Sequence, residues 1–114
     1  LLENIANLEK LERPLICTEY MARELGTTFE FSLPIFRDKK IGCYNWGLVA
    51  GKSQTHFPWS SVKHLQRLKK EKAFIEDHED IPEPEVWFHD IFRKDGTAYN
   101  QNEVEFIKKI LGHF

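Results

Sequence analysis

The chain has 114 residues, room for one domain, with 16 Lys and Arg against 18 Asp and Glu and a formal net charge of -2. That balance lacks the basic face a nucleic-acid binder needs, so no nucleic-acid partner is expected. No apolar run approaches the roughly 18 residues of a membrane span, and no membrane partner is expected either.

The chain opens on Leu1-Leu2-Glu3-Asn4, which reads as mid-helix, so a polypeptide continuing upstream is expected. Leu2, Ile5, Ala6, Leu8 and Leu11 recur near the helical period and predict a helix over 2–12. Arg13-Pro14 ends it, because the residue before proline is pushed out of the α region. Residues 15–20, Leu-Ile-Cys-Thr-Glu-Tyr, form a short apolar run suited to a buried parallel strand. It runs straight into the carboxylate of Glu19, and an acid beside an apolar core must be solvated, paired or used.

A loop with Gly26 follows, and Thr27 or Thr28 can cap a second helix carrying Phe29, Phe31, Leu33, Ile35 and Phe36. Pro34 falls inside that helix, where a kink or early break is expected. Residues 41–46 predict a second strand ending in Tyr44-Asn45-Trp46, and a long loop runs from 47 to 59. Residues 61–75 are helix-compatible and hold the basic cluster Arg67, Lys69, Lys70 and Lys72. An acidic stretch follows over 76–85, and the pair reads as a solvated insertion with complementary charges. Residues 86–92 are apolar, Asp95-Gly96 marks a turn, and Asn100 or Asn102 can cap a last helix.

Strands separated by helices imply parallel strands joined by crossovers. Two such strands leave too much edge unpaired, so the pattern reads as part of a larger α/β structure. Cys17 and Cys43 make neither a disulfide framework nor a metal pattern. His56, His64, His78, His89 and His113 show no ligand-pair spacing. No metal and no cofactor are expected.

Three blocks then carry a resemblance. They are Pro14-Leu15-Ile16-Cys17-Thr18-Glu19-Tyr20-Met21-Ala22-Arg23, the stretch from Gly42-Cys43-Tyr44-Asn45-Trp46-Gly47 to Lys52-Ser53-Gln54-Thr55, and Pro84-Glu85-Val86-Trp87-Phe88-His89-Asp90-Ile91-Phe92-Arg93 with Asp95-Gly96-Thr97. In this order they resemble the retaining (β/α)8-barrel glycoside hydrolases of the clan that includes cellulases and β-mannanases, with cellulase-like and xylanase-like enzymes nearest. The resemblance implies a partial TIM barrel: strands seven and eight with flanking helices and a C-terminal helix. On it, residues 1–114 are the C-terminal part of a catalytic domain, with a variable insertion at about 60–83.

The resemblance makes Glu19, at the end of the seventh strand, the nucleophile. It makes Trp46, at the end of the eighth, the aromatic floor of the sugar site beside the cleaved bond. Barrel active sites do sit at the C-terminal ends of the strands. Retaining hydrolysis needs two carboxyl groups roughly 5–5.5 Å apart, one attacking the anomeric carbon and one protonating the leaving oxygen. An indole face suits the apolar C–H face of a pyranose. The acid/base Glu of the clan belongs to a fourth strand with no counterpart here. This chain alone is therefore expected to be inactive and to require the missing N-terminal barrel units. The implied partner is a β-linked, plant-type poly- or oligosaccharide, and enzymes of this kind are usually exported.

Each residue also has a plainer reading. Glu19 could be a solvated strand-end acid or pair with Arg13 or Arg23, and Trp46 could be a core indole. Tyr20 and Tyr44 could bond the nucleophile or simply pack. Arg23 could orient Glu19 or contact sugar. Lys52, Gln54, Thr55 and His56 lie in the loop where barrel enzymes hold substrate. Trp87, Phe88, Phe92 and His89-Asp90 read as packing. Two other classes compete: a carbohydrate-binding module with Trp46, Trp59 and Trp87 as a stacking platform, and a small α/β interaction protein.

Overall fold

The computed structural model describes residues 1–61, 67 and 82–112. The element order is α1 (Leu2–Glu9), β1 (Ile16–Cys17), a 3-10 turn (Arg23–Leu25), α2 (Phe29–Asp38), β2 (Gly42–Cys43) and α3 (Gln101–Leu111). Most of the predicted helix over 61–75 and most of the acidic stretch lie outside the described residues.

Helix α1 stops at Glu9, short of the expected 12, because Glu12 already takes a left-handed backbone with φ 50. Helix α2 starts at Thr28, whose Oγ1 accepts the Phe31 N–H at 3.3 Å. Its buried residues Phe29, Ser32, Leu33 and Phe36 fall at i, i+3, i+4 and i+7, one stripe of a helix. That stripe carries the helix through Pro34, so the expected break does not occur. Fully burying each phenylalanine stabilises by about 1.5–3 kcal/mol, against the single backbone hydrogen bond that proline removes. Helix α3 is capped by Asn100, whose Oδ1 accepts from Asn102 and Glu103, and it ends at Gly112 in the left-handed region.

β1 and β2 are parallel, with Ile16 opposite Gly42 and Cys17 opposite Cys43. The ladder is two residues long, shorter than the predicted 15–20 and 41–46. Beyond Cys17 the chain bends, and Tyr20 turns in toward α2 instead of extending the strand. The fold shown is therefore a mixed α/β unit built on a two-stranded parallel sheet.

The core lies on one face of that sheet. Ile5, Phe29, Leu33, Phe36, Ile41 and Val104 are buried there, with Leu15, Cys17 and Cys43 packed against them. The other face is open: Ile16 is 64% exposed beside exposed Gly42.

Arg23 joins the sheet side to the C-terminal helix. Its Nε donates to Glu103 Oε2 at 3.0 Å, and Nη2 donates to the other Glu103 oxygen and to the Asp90 carbonyl. Nη1 donates to the Trp87 carbonyl at 3.4 Å. The guanidinium also lies over the Tyr99 ring, 4.9 Å from its centroid. Both side chains of the pair are nearly inaccessible, at 6% and 4%. Removing one partner of such a pair strands a buried charge, at a cost of about 3–5 kcal/mol. Arg23→Ala is expected to lose that much in urea unfolding. Arg23→Met combined with Glu103→Leu should recover most of it, because no charge then remains buried. A double variant no better than Arg23→Ala would show that packing, not the stranded charge, sets the cost.

Candidate functional site

Two of the expected site residues, Glu19 and Trp46, lie just past the ends of β1 and β2. Glu19 lies two residues past β1 and is exposed, and among the described residues no hydrogen bond or ion pair engages its carboxylate. Trp46 lies three residues past β2 and is 57% exposed. Its indole lines a cavity of about 300 Å³ together with Gln54, Thr55, Trp59, Phe88 and His89. The Glu19 charge reaches the His89 imidazole.

A polar lattice behind the cavity fixes these positions. The Asn45 amide donates to the carbonyls of Gly47 and His89, linking the exit of β2 to the 87–90 segment. Thr55 Oγ1 donates to Asp90 Oδ2 at 2.7 Å, and Asp90 is fully buried. Phe88 N donates to the His56 carbonyl at 2.9 Å, and Arg23 N donates to the Phe88 carbonyl at 3.2 Å. Leu48 accepts from both Ile91 and Phe92, so residues 48–50 and 91–92 run side by side. Gly47 is required here for space: a Cβ would overlap the Asp90 carboxylate and come within 3.0 Å of Thr55 Oγ1.

Two partly buried histidines sit in this lattice. Burial pushes the His89 imidazole down, opposed by the Met21 main chain, Asp90 and Glu19. Burial also pushes His56 down, opposed by Asp90 and Glu83. His89 Nδ1 is buried and makes no hydrogen bond to the protein. A buried polar atom without a partner costs about 1–3 kcal/mol, and Asn45 Oδ1, His56 Nδ1, Trp87 Nε1 and Asp90 Oδ1 of the same region share that state.

The expected residues divide clearly. Trp46 and Gln54 line the cavity, and Glu19 is not among its lining residues. Lys52 is exposed on the loop outside the lining. Tyr20 does not face the cavity: its ring meets Phe36 edge-to-face at 5.2 Å and Phe29 at 6.0 Å. Burial, with the Cys43 thiol beside it, pushes its phenol well above the ordinary value. Of the two readings open for Tyr20, the geometry favours packing, since its ring lies against the core. Four of the five N–H donors of Arg23 are taken by Glu103, Trp87 and Asp90, and none by Glu19. Trp87 is 1% exposed and stacks on Tyr99 at 5.0 Å, so a platform of three exposed tryptophans does not exist. His89 was read only as packing, although its flanks Phe88 and Asp90 are buried and it opens on the cavity.

Among the described residues no three His, Cys, Asp or Glu side chains gather as for a metal ion. No helix of the described residues is long and apolar enough to cross a membrane. No protein-family model, curated protein or solved structure matches this chain.

Gly47→Ala is expected to destabilise by about 1–3 kcal/mol, the scale of overpacking, read as a lower unfolding midpoint. An unchanged midpoint would mean that the Asp90 carboxylate can move aside. Acid should also act through the two histidines. Unfolded, they titrate near ~6.5; folded, lower, so the unfolded chain binds more protons once the pH drops through that value. Stability is thus full above pH ~6.5 and declines below it, before the carboxylates of Glu83 and Asp95, whose pKa values are lowered, begin to protonate. Denaturant midpoints between pH 7 and 5 should fall in the native chain and flatten in His56→Gln/His89→Gln.

Proposed function

We propose that these residues are the nucleophile-bearing sector of a retaining β-glycoside hydrolase, a (β/α)8 barrel in which β1 and β2 are the seventh and eighth strands. The observation that carries this reading is the exposed Glu19 carboxylate just past the end of one parallel strand, with an exposed indole, the wall of a cavity, just past the end of the next. The open sheet face with Ile16 supports it too, because parallel strands are normally covered on both sides. The remaining barrel units would supply that cover.

In this reading Glu19 attacks the anomeric carbon of a β-linked, plant-type poly- or oligosaccharide and forms a covalent glycosyl-enzyme, which water then hydrolyses. Trp46 presents a flat apolar face to the sugar ring and tolerates the positive charge that develops there. The acid/base carboxyl comes from outside these residues. Glu24 lies against the Ser60 amide, Asp90 is held by Thr55, and Glu103 is committed to Arg23. Neither metal nor cofactor enters the reaction.

The alternative, a non-catalytic sugar-binding module with exposed tryptophans, keeps Trp46 and Trp59 but loses Trp87 to the core. The test uses the full-length polypeptide that contains these residues. A 2-deoxy-2-fluoro-β-glycoside should trap the intermediate, and the peptide containing Glu19 should carry the added sugar mass. Label on a different carboxylate, or undiminished turnover in Glu19→Ala, would overturn the assignment.

A further inference from the structure

The chain's two cysteines, Cys17 and Cys43, stand directly opposite each other in the parallel ladder. Neighbouring strands lie about 4.7–4.9 Å apart, inside the roughly 4.4–6.8 Å between Cα atoms that a disulfide spans. Alternation along the strands sends Ile16 and Gly42 to the open face and both thiols to the other, where they pack at the margin of the core. Both thiols are free and only partly buried. Neither is sealed among hydrocarbon. Cys17 Sγ donates to the Glu19 carbonyl at 3.4 Å, and the Tyr20 phenol lies beside Cys43. Two thiols in register, each with a polar neighbour, differ from the inert cysteine of a closed core.

We propose that Cys17 and Cys43 are a redox-sensitive pair, which a peroxide converts to a disulfide across the two strands, untying Glu19 from Cys17. In the first step the Cys17 thiolate attacks one peroxide oxygen, the O–O bond breaks and hydroxide leaves, giving a sulfenic acid. Burial pushes the Cys43 thiol up, which leaves this first attack to Cys17. The Cys43 thiolate then attacks the Cys17 sulfur, the S–S bond forms, the S–O bond breaks and a second hydroxide leaves. The two thiol protons neutralise the two hydroxides. Two thiols and one hydrogen peroxide thus give one disulfide and two waters, the sulfurs losing the two electrons that the peroxide gains. Oxidised Cys17 has no S–H to donate, so the Glu19 carbonyl loses that contact with β1. A disulfide also holds its Cβ atoms about 3.5–4.5 Å apart, closer than the strand spacing, and draws the strand ends together. A reacting group misplaced by about 1 Å can cost about a hundredfold in rate. The disulfide stands apart from the glycosidase reading; its effect on turnover rests on it.

The test treats the folded full-length polypeptide with a small excess of hydrogen peroxide. A digest made without reductant should contain the Cys17 and Cys43 peptides joined, two hydrogens lighter than the separate pair, and dithiothreitol should part them. In Cys43→Ser the sulfenic acid has no resolving thiol, so dimedone should label Cys17. Cys17→Ser should give neither a link nor a label on Cys43. Turnover of a β-glycoside should fall by about tenfold or more on oxidation and return with dithiothreitol, while peroxide leaves the rate of Cys17→Ser as it was. Absence of the joined peptide, a link that forms only in denaturant, or dimedone on Cys43 in Cys17→Ser would overturn the pair. A linked protein whose turnover stays within about twofold of the reduced rate overturns the coupling to Glu19. A protein that forms the link reversibly but cleaves no glycoside in either state supports the pair and sinks the glycosidase reading alone.

Discussion

The buried pair of Arg23 with Glu103 is the contact on which the rest of the arrangement hangs. It is the point where three separate stretches meet: the loop after β1, the 87–90 segment and the first turn of α3. Of the three, only α3 is regular secondary structure. The 87–90 segment has no strand ladder and no helix, so its backbone must find partners elsewhere. Arg23 takes two of its carbonyls, and the main chain of Arg23 takes a third. The desolvation of both charges is offset by that full set of partners, which is the condition under which a buried pair is tolerated.

The cavity floor follows from this anchoring. With Trp87 fixed by Arg23 and stacked on Tyr99, the next residues fall into order: Phe88 behind Trp59, His89 at the cavity and Asp90 inward. The exit of β2 then closes from the other side through Asn45, Gly47 and Thr55. Gly47 matters for its missing Cβ rather than for backbone freedom. It lets the chain pass close enough to the Asp90 carboxylate for Thr55 to reach the same group. The site is thus built by two loops gripping a third, with the parallel strands setting only where the first two begin.

What was legible in the sequence is what local rules govern. The stripe of Phe29, Leu33 and Phe36, the Thr28 cap and the Asn100 cap depend on residues within a few positions of one another. The strand-end placement of Glu19 and Trp46 needed only the order of strands and helices. The partner of Arg23 was not legible, because Glu103 lies 80 residues away and any of several nearer acids was an equal candidate. The partners of Tyr20 and Trp87 were not legible for a related reason. Period and composition say that an aromatic residue seeks cover but not which one finds it, and here Tyr20 found Phe36 while Trp87 found Tyr99. Pro34 shows the reverse, a strong local signal overruled by burial of the helix face.

The pairing of Arg23 bears directly on Glu19. The two residues are four apart on the same loop, and a salt bridge between them would be the cheapest local arrangement. Such a bridge would clamp the carboxylate in a fixed orientation and hold its lone pairs on guanidinium protons, which weakens a nucleophile. α3 prevents this by bringing Glu103 to the cation. Because the pair is bidentate and neutral overall, its field at Glu19 is that of a dipole and not of a full charge. On the glycosidase reading, a helix at the far end of the chain thereby keeps the attacking carboxylate available without touching it. That explains why an acid in the first turn of α3 is among the most buried charged groups described, while the acid at the strand end stays open to solvent.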